Sequence, residues 1–155
     1  MKFSILIVAR NASKIIVPLL EDLSRYEDIF VVNDRSNDDT LEKLNKFNNV
    51  KVIDSINLTK NHKNLKSNDL FFGDEAYFRN LTISSINYKN EWILLLDADE
   101  RISKKSLDQL SNLDPKNNQV AYSLKRSDIF LGKKLKFSQQ VNSFLRLIKY
   151  KECQY

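Results

Sequence analysis

The chain has 155 residues, of which 42% are apolar and 10% aromatic; this is the size of one domain with a real core, and it excludes global disorder and a second full domain. Its 25 lysines and arginines against 20 acids give a net charge of +5, a diffuse excess that suits acidic surfaces or phosphorylated substrates and does not argue for nucleic acid. A lone cysteine, Cys153, and a lone histidine, His62, exclude an internal disulfide and a His/Cys zinc cluster and fit a reducing, cytosolic setting.

Phe3 to Ala9 is an apolar run closed by Arg10 and Asn11; it reads as a first strand, being too short for a secretory leader. Pro18 is tolerated in the first turn of a helix, so a helix is expected from about Val17 through Leu23. Asp28 to Val32 is the second strand, ending at Asn33-Asp34. The stretch Ser36 to Thr40 is dense in capping residues, and Leu41, Leu44 and Phe47 then fall at helical spacing, which predicts a short helix. Val50 to Ile53 is a third strand. Residues 55 to 74 are polar and aperiodic, and are expected to form a long loop that serves a site or is disordered. Glu75 to Tyr88 keeps one apolar helical face. Glu91 to Leu96 is a strand buried on both faces, broken by Asp97; its apolar run is far short of a membrane span, so any membrane association is expected to be peripheral. Lys104 to Leu113 reads as a helix, Val120 to Leu124 as a strand and Phe144 to Ile148 as the last strand. This alternation of strands and helices is the pattern of parallel βαβ units, hence a single α/β domain over residues 1 to 155 with a mostly parallel sheet flanked by helices.

Only two glycines occur, Gly73 and Gly132, and that excludes the dinucleotide GxGxxG, the phosphate-cradling P-loop and the GxSxG elbow. Polar clusters follow three strands instead: Arg10-Asn11, Asn33-Asp34 and Asp97-Ala98-Asp99-Glu100. Ligands of an open parallel sheet bind outside the carboxyl ends of the strands where the strand order reverses. If the first and fourth strands are neighbours there, all three clusters face one crevice. Asp38 and Asp39 read as helix caps. Three carboxylates at positions 97, 99 and 100 repel one another unless something neutralises them, and a hard divalent cation does so; Mg²⁺ typically takes one or two carboxylates plus phosphate oxygens. Asp97 and Asp99 are therefore candidate ligands for Mg²⁺ or Mn²⁺ bound with a nucleoside diphosphate. Other residues have plainer readings. Trp92 is core, and Phe71, Phe72, Tyr77 and Phe78 pack under the long loop rather than stacking on a sugar or base. His62 is solvated and Cys153 inert. Lys125, Arg126, Lys133, Lys134 and Lys136 form a solvated basic surface, with anionic lipid head groups or a lipid-linked acceptor as the alternative partner.

Taken in order, the blocks SILIVARN (4 to 11), IFVVNDRSNDDT (29 to 40), RN (79 to 80), EWILLLDADERIS (91 to 103), KRSDIFLGKKLK (125 to 136) and FLRLI (144 to 148) make the chain resemble family 2 glycosyltransferases of the GT-A fold. The resemblance is to the bacterial branch that builds lipopolysaccharide core and capsule sugars. It implies a cytoplasmic enzyme, in contact with the inner face of the membrane or not, that takes a nucleotide sugar, most often a UDP-sugar, and transfers the sugar with inversion to a glycan or lipid-linked acceptor. By the same resemblance Ala9, Arg10 and Asn11 line the nucleotide pocket, Asp34 meets the base, and Arg79, followed by Asn80, lies near the diphosphate. Asp97 contacts the ribose or supports the metal, Asp99 ligates it, and Glu100 accompanies them, orients Arg101 or caps the next helix. The metal serves as Lewis acid for the departing diphosphate. Inversion also needs a carboxylate base, which the pattern puts downstream of an Arg-Leu-Phe-like block. Here Arg146-Leu147-Ile148 is followed closely by Tyr155, so the acceptor and base region is expected to be missing and the catalytic base is unassigned; Asp128 and Glu152 are the remaining late acids. The aromatic and glycine residues of acceptor recognition are not found between Gly132 and Arg146. Two competitors follow: a catalytically incomplete nucleotide-sugar-binding or interaction module, and a sugar-nucleotide pyrophosphorylase type. The latter uses a glycine-rich loop after the first strand, where Arg10-Asn11-Ala12-Ser13 offers no glycine.

Overall fold

In chain order the elements of the computed structural model are β1 (Phe3–Ala9), α1 (Ile16–Asp22), β2 (Ile29–Asn33), α2 (Thr40–Leu44), β3 (Val50–Asp54), α3 (Ser55–Thr59), α4 (Glu75–Ser85), β4 (Trp92–Asp97), α5 (Lys104–Ser111), β5 (Ala121–Lys125), β6 (Ile129–Phe130), β7 (Lys133–Lys134) and β8 (Ser143–Lys149). The structure describes residues 1–62, 69–116, 118–131, 133–135 and 143–153. Part of the expected loop (63–68), Gly132, Lys136 and most of the stretch before Arg146 lie outside the described residues.

Six strands form one sheet in the order β3-β2-β1-β4-β8-β5. The first four are mutually parallel, as continuous apolar runs linked by helices require. β8 then runs antiparallel to β4, and β5 antiparallel to β8, with a register shift between Tyr122 and Ser123. The alternation of side chains along β1 splits the core in two. Phe3, Ile5 and Ile7 face a layer holding Leu19, Leu20, Leu44, Leu107 and Leu110 from α1, α2 and α5. Leu6 and Val8 face Phe72, Phe78, Ile83 and Tyr88 around α4. The sequence expectation of an α/β fold with a mostly parallel, helix-flanked sheet holds, and Trp92, Phe72 and Phe78 are core residues as expected.

Three elements differ from expectation. The segment from residue 55 begins with α3, because the Asp54 carboxylate accepts the Ile56 amide at 2.9 Å and caps the turn. Further on, Phe71, Phe72 and Gly73 all take left-handed backbone angles (φ 48°, 56° and 83°) in a tight turn just before α4. The α4 helix stops at Ser85, with Ile86 extended; Ile86 and Tyr88 still bury their side chains.

A polar knot closes the amino edge of the sheet. Ser4 Oγ donates to Asp28 Oδ2 at 2.5 Å, the Lys89 amide donates to the same oxygen at 2.9 Å, and Lys51 Nζ donates to Oδ1 at 2.6 Å. Burial pushes the Asp28 carboxyl up, but these donors outweigh it and hold the group below its ordinary range.

Candidate functional site

β1 is the pivot of the site. Its register pairs Ala9 with Asn33 on one side and Val8 with Asp97 on the other, so the polar clusters that follow β1, β2 and β4 share one carboxyl edge. At a strand spacing of about 4.8 Å, the backbones of Asn33 and Asp97 stand about 10 Å apart across β1. The sheet grows outward from β1 in both directions, through β2 on one side and β4 on the other, and this is the place where an open α/β sheet binds ligands.

On the β2 side the loop after β1 is tied down completely. Asn11 takes a left-handed conformation (φ 49°), and its Oδ1 accepts the Asn37 amide at 2.9 Å. The Asn11, Ala12 and Ser13 amides donate to Ser36 Oγ (3.0 Å), Thr40 Oγ1 (2.8 Å) and Asp38 Oδ2 (3.2 Å). Thr40 Oγ1 in turn donates to Asp38 Oδ1 at 2.5 Å. That hydroxyl, opposed by partial desolvation and helped by Ser13 and the two backbone amides, holds the Asp38 carboxyl down at about 2. Asp38 is thus the residue that organises the start of α2; Asp39, also expected to cap, makes no side-chain cap bond.

Asp34 is fully buried. Arg35 Nε donates to its Oδ1 at 2.8 Å and Arg35 Nη2 to its Oδ2 at 3.3 Å, while Ser55 Oγ donates to Oδ1 at 3.2 Å. Arg10 Nη1 lies 3.8 Å from Oδ2. Both guanidinium groups also reach the Asp69 carbonyl, at 2.7 Å from Arg35 and 3.4 Å from Arg10. The Arg35 guanidinium lies 3.7 Å from the centre of the Phe72 ring, a cation–π contact between this edge and the left-handed turn at Phe71–Gly73. Asn33 Oδ1 and Arg35 Nη1 are buried with no hydrogen-bond partner among the described residues. Such an unsatisfied acceptor and donor, two residues apart on either side of Asp34, mark an edge shaped for something other than stability alone.

The β4 side holds the acids. Arg79 Nη2 from α4 donates to Asp97 Oδ1 at 2.6 Å, and Arg146 Nη2 from β8 donates to Asp97 Oδ2 at 2.9 Å and to Glu100 Oε1 at 2.5 Å. Glu100 Oε2 accepts the Asp97 amide at 3.0 Å, closing the turn, and Glu75 Oε1 accepts from Arg79 Nε at 2.9 Å. Burial pushes the Asp97 carboxyl up, but the Arg79 hydrogen bond and the charges of Arg79 and Arg146 prevail and keep it below its ordinary range. Asp99 is exposed and has no charged or hydrogen-bonded partner among the described residues. Glu100 neither orients Arg101, which pairs with Asp22 at 2.5 Å, nor caps α5, whose cap is Ser103.

These positions decide how a divalent cation fits. No group of three metal-binding side chains exists among the described residues. Both oxygens of Asp97 already accept from arginines, whereas Asp99 is an unengaged hard oxygen donor at the mouth of the edge. A cation held by one carboxylate, with the remaining positions left to phosphate and water, suits Asp99, with Asp97 behind it. Arg79 lies in the acid cluster, bonded to both Asp97 and Glu75. Arg35, Glu75 and Arg146 join the site without having been assigned a role from sequence. Arg146 was visible only as part of a block, and its partners lie 49 and 46 residues earlier. His62 is not merely solvated: its Nδ1 lies 2.7 Å from the Tyr77 hydroxyl.

No family model and no curated protein matches this sequence. In three dimensions the chain is similar to Staphylococcus aureus TarS 1–349, a structure also solved in complex with UDP, at 20% identity and a TM-score of 0.53, covering 97% of this chain and 47% of that one. A longer TarS structure aligns over 72% of this chain and 19% of its own at 28% identity and a TM-score of 0.50. A cytidylyltransferase from Leptospira borgpetersenii aligns over 97% of this chain and 61% of its own, at 19% identity and a TM-score of 0.59. The fold is thus GT-A-like, shared with TarS and with a cytidylyltransferase, and the chain spans about half the length of TarS 1–349.

Proposed function

We propose that this chain is the nucleotide-sugar-binding part of a family 2 glycosyltransferase of the kind that builds bacterial envelope glycans. In this reading it takes a UDP-sugar with Mg²⁺ or Mn²⁺ at the carboxyl edge of β1 and transfers the sugar with inversion to a glycan or lipid-linked acceptor on the cytoplasmic side. The observation that carries it is the division of that edge: Arg10 and Arg35 on the β2 side, the unpaired Asp99 carboxylate on the β4 side.

The cation, when bound, supplies Lewis acidity to the leaving diphosphate. Asp99 presents the ligand oxygen. Asp97, kept ionised by Arg79 and Arg146, supports the turn that projects Asp99. Asp34 acts indirectly, through the arginines it fixes, because its own oxygens are enclosed. Asn33 Oδ1 offers an unused acceptor beside them. No carboxylate among the described residues stands out as the acceptor-side base.

The likeness to a cytidylyltransferase raises nucleotidyl transfer as a second reading. The loop after β1 argues against it: its amides at Asn11, Ala12 and Ser13 are all donated to protein oxygens, so none is free to cradle a triphosphate.

Isothermal titration with UDP tests the proposal. Binding that requires Mn²⁺ or Mg²⁺ and is abolished by Asp99→Ala supports it; metal-independent binding, or no binding of any nucleoside diphosphate, overturns it. Turnover of a UDP-sugar by the 155-residue chain would further separate a transferase from a module that only binds.

A further inference from the structure

The turn over residues 69–73 already occupies the arginines of the β2 side. The Asp69 carbonyl oxygen accepts from Arg35 Nη2 at 2.7 Å, from Arg10 Nη1 at 3.4 Å and from the Phe72 amide at 3.1 Å, so both of its lone pairs are taken. Arg35 is committed on every side. Its Nε and Nη2 donate to Asp34, and its guanidinium lies 3.7 Å from the centre of the Phe72 ring. The remaining nitrogen, Nη1, is buried with no partner among the described residues. While the turn stays in place, Arg35 therefore presents no open donor to a phosphate. A buried donor left unpaired costs free energy, and a phosphate oxygen is an acceptor that would satisfy it once the turn withdraws.

The turn is itself held at a cost. Phe71 and Phe72 keep left-handed backbone angles (φ 48° and 56°), which bulky side chains rarely adopt. Such conformations persist where surrounding contacts over-determine them, and they cluster at ligand clamps and switch regions. Here those contacts come from the site: Arg35 on the Phe72 ring, and the Arg79 guanidinium 5.6 Å from the centre of the Phe71 ring. Both rings also lean on Phe78, with centroids 5.4 Å away for Phe72 and 6.1 Å for Phe71. The turn thus touches arginines on both halves of the edge. Gly73 follows with φ 83°, where an added Cβ would lie 3.2 Å from Asp69 Oδ2.

We infer that the turn over residues 69–73 is an autoinhibitory latch: it holds Arg10 and Arg35 through the Asp69 carbonyl, and a diphosphate must displace it to bind. The inference rests on the proposed function for its ligand, a nucleoside diphosphate, and adds how that site is regulated. Only molecules with the turn released are competent, so the apparent affinity is reduced by their fraction. Weakening the turn then tightens binding, the reverse of what a supporting wall of the pocket would show.

Gly73→Ala places a Cβ on a left-handed backbone against Asp69, and isothermal titration should show UDP with Mn²⁺ bound about fivefold more tightly. Phe71→Ala takes the ring away from Arg79 and Phe78 and should tighten binding about threefold. Urea unfolding checks that each variant is folded. A second measurement needs no variant: in the unmodified chain, UDP with Mn²⁺ should speed hydrogen exchange at the Phe72 and Asp74 amides, which donate to the Asp69 and Phe71 carbonyls at 3.1 and 3.2 Å, about tenfold or more, while amides of β1 keep their protection. Unchanged or weaker binding in either folded variant, or bound UDP with these two amides unchanged or slower, overturns the latch and leaves the proposed function standing. Magnesium pyrophosphate separates the two readings. If it binds and speeds the same amides while UDP binds neither the unmodified chain nor either variant, the latch stands and the nucleotide reading falls; if neither ligand binds any of these proteins, both fall.

Discussion

Arg146→Leu is the most informative single substitution. The Arg146 side chain is 7% exposed and spans Asp97, 30% exposed, and Glu100, 16% exposed. Leucine replaces much of the aliphatic stem but removes two charge-assisted hydrogen bonds, each worth about 1.5 to 3 kcal/mol. Breaking a buried ion pair costs up to about 3 to 5 kcal/mol, but here Asp97 keeps Arg79 and some water, and Glu100 keeps the Asp97 amide. The expected loss at pH 7 is therefore about 2 to 3 kcal/mol. With a urea slope of about 2 kcal/mol/M, the unfolding midpoint should fall by about 1 to 1.5 M. The pH dependence adds a second handle. Asp97 has a folded value below its unfolded one, so its contribution is complete at neutral pH and disappears as the pH falls below about 4 and through the folded value. The unmodified chain has more to lose in that window, so the gap between the two proteins should narrow between pH 5 and pH 3. Urea curves at both ends, together with a double-mutant cycle against Asp97→Asn showing coupling of about 1 kcal/mol or more, complete the test. An unchanged midpoint, additive substitutions, or a gap that widens in acid would refute the account of Arg146 as the residue that holds the acid turn.

Asp99→Asn, at an exposed position without a partner, should shift stability by less than about 0.5 kcal/mol in urea unfolding even as it removes cation-dependent UDP binding; a large stability change would mean Asp99 is structural. Asp28→Asn should cost about 1 to 3 kcal/mol at pH 7, because the Ser4, Lys51 and Lys89 donors lose their charged acceptor. The native carboxylate's advantage should vanish as the pH falls below about 4, giving urea curves of the two proteins that converge in acid. The Asp38 carboxyl should titrate at about 2 in carbon-detected NMR, and Thr40→Val should move it upward toward the ordinary range; an unmoved value would show that the Thr40 hydroxyl is not its main support.

The parallel core of the sheet could be read from sequence because β1, β2 and β4 are buried on both faces, and such strands carry continuous apolar runs that short-range pattern detects. The direction of β8 could not, since FLRLI is equally compatible with either sense; pairing with β4 and β5 decides it. The α3 helix escaped notice because one turn capped by Asp54 has too few residues to show a period. At the site, the three polar clusters were found because position after a strand is a local property. The partners were not. Asp34 looked like a ligand contact, yet its neighbour in sequence, Arg35, bends back through a left-handed backbone to enclose it. Arg146 reaches the acid turn only because β8 inserts beside β4. Ion pairs across elements depend on topology, which residue spacing does not encode.

The scarcity of glycine and the chemistry of the edge are one feature seen twice. A glycine-rich phosphate loop works because its amides stay unpaired and can approach the ligand closely. Here Asn11 adopts the left-handed turn that glycine would otherwise supply, held by its side-chain bond to Asn37, and the Asn11, Ala12 and Ser13 amides are donated to Ser36, Thr40 and Asp38. On the proposed reading, with these amides committed, a phosphate at this edge would meet side chains: Arg10 and Arg35 to one side, and to the other the Asp99 carboxylate, which would need a cation before it could face an anion. The acid turn, the arginines and the committed amides would then bind a diphosphate without glycines, and replacing Asn11 or Ser36 by glycine would disturb the loop without creating a phosphate cradle.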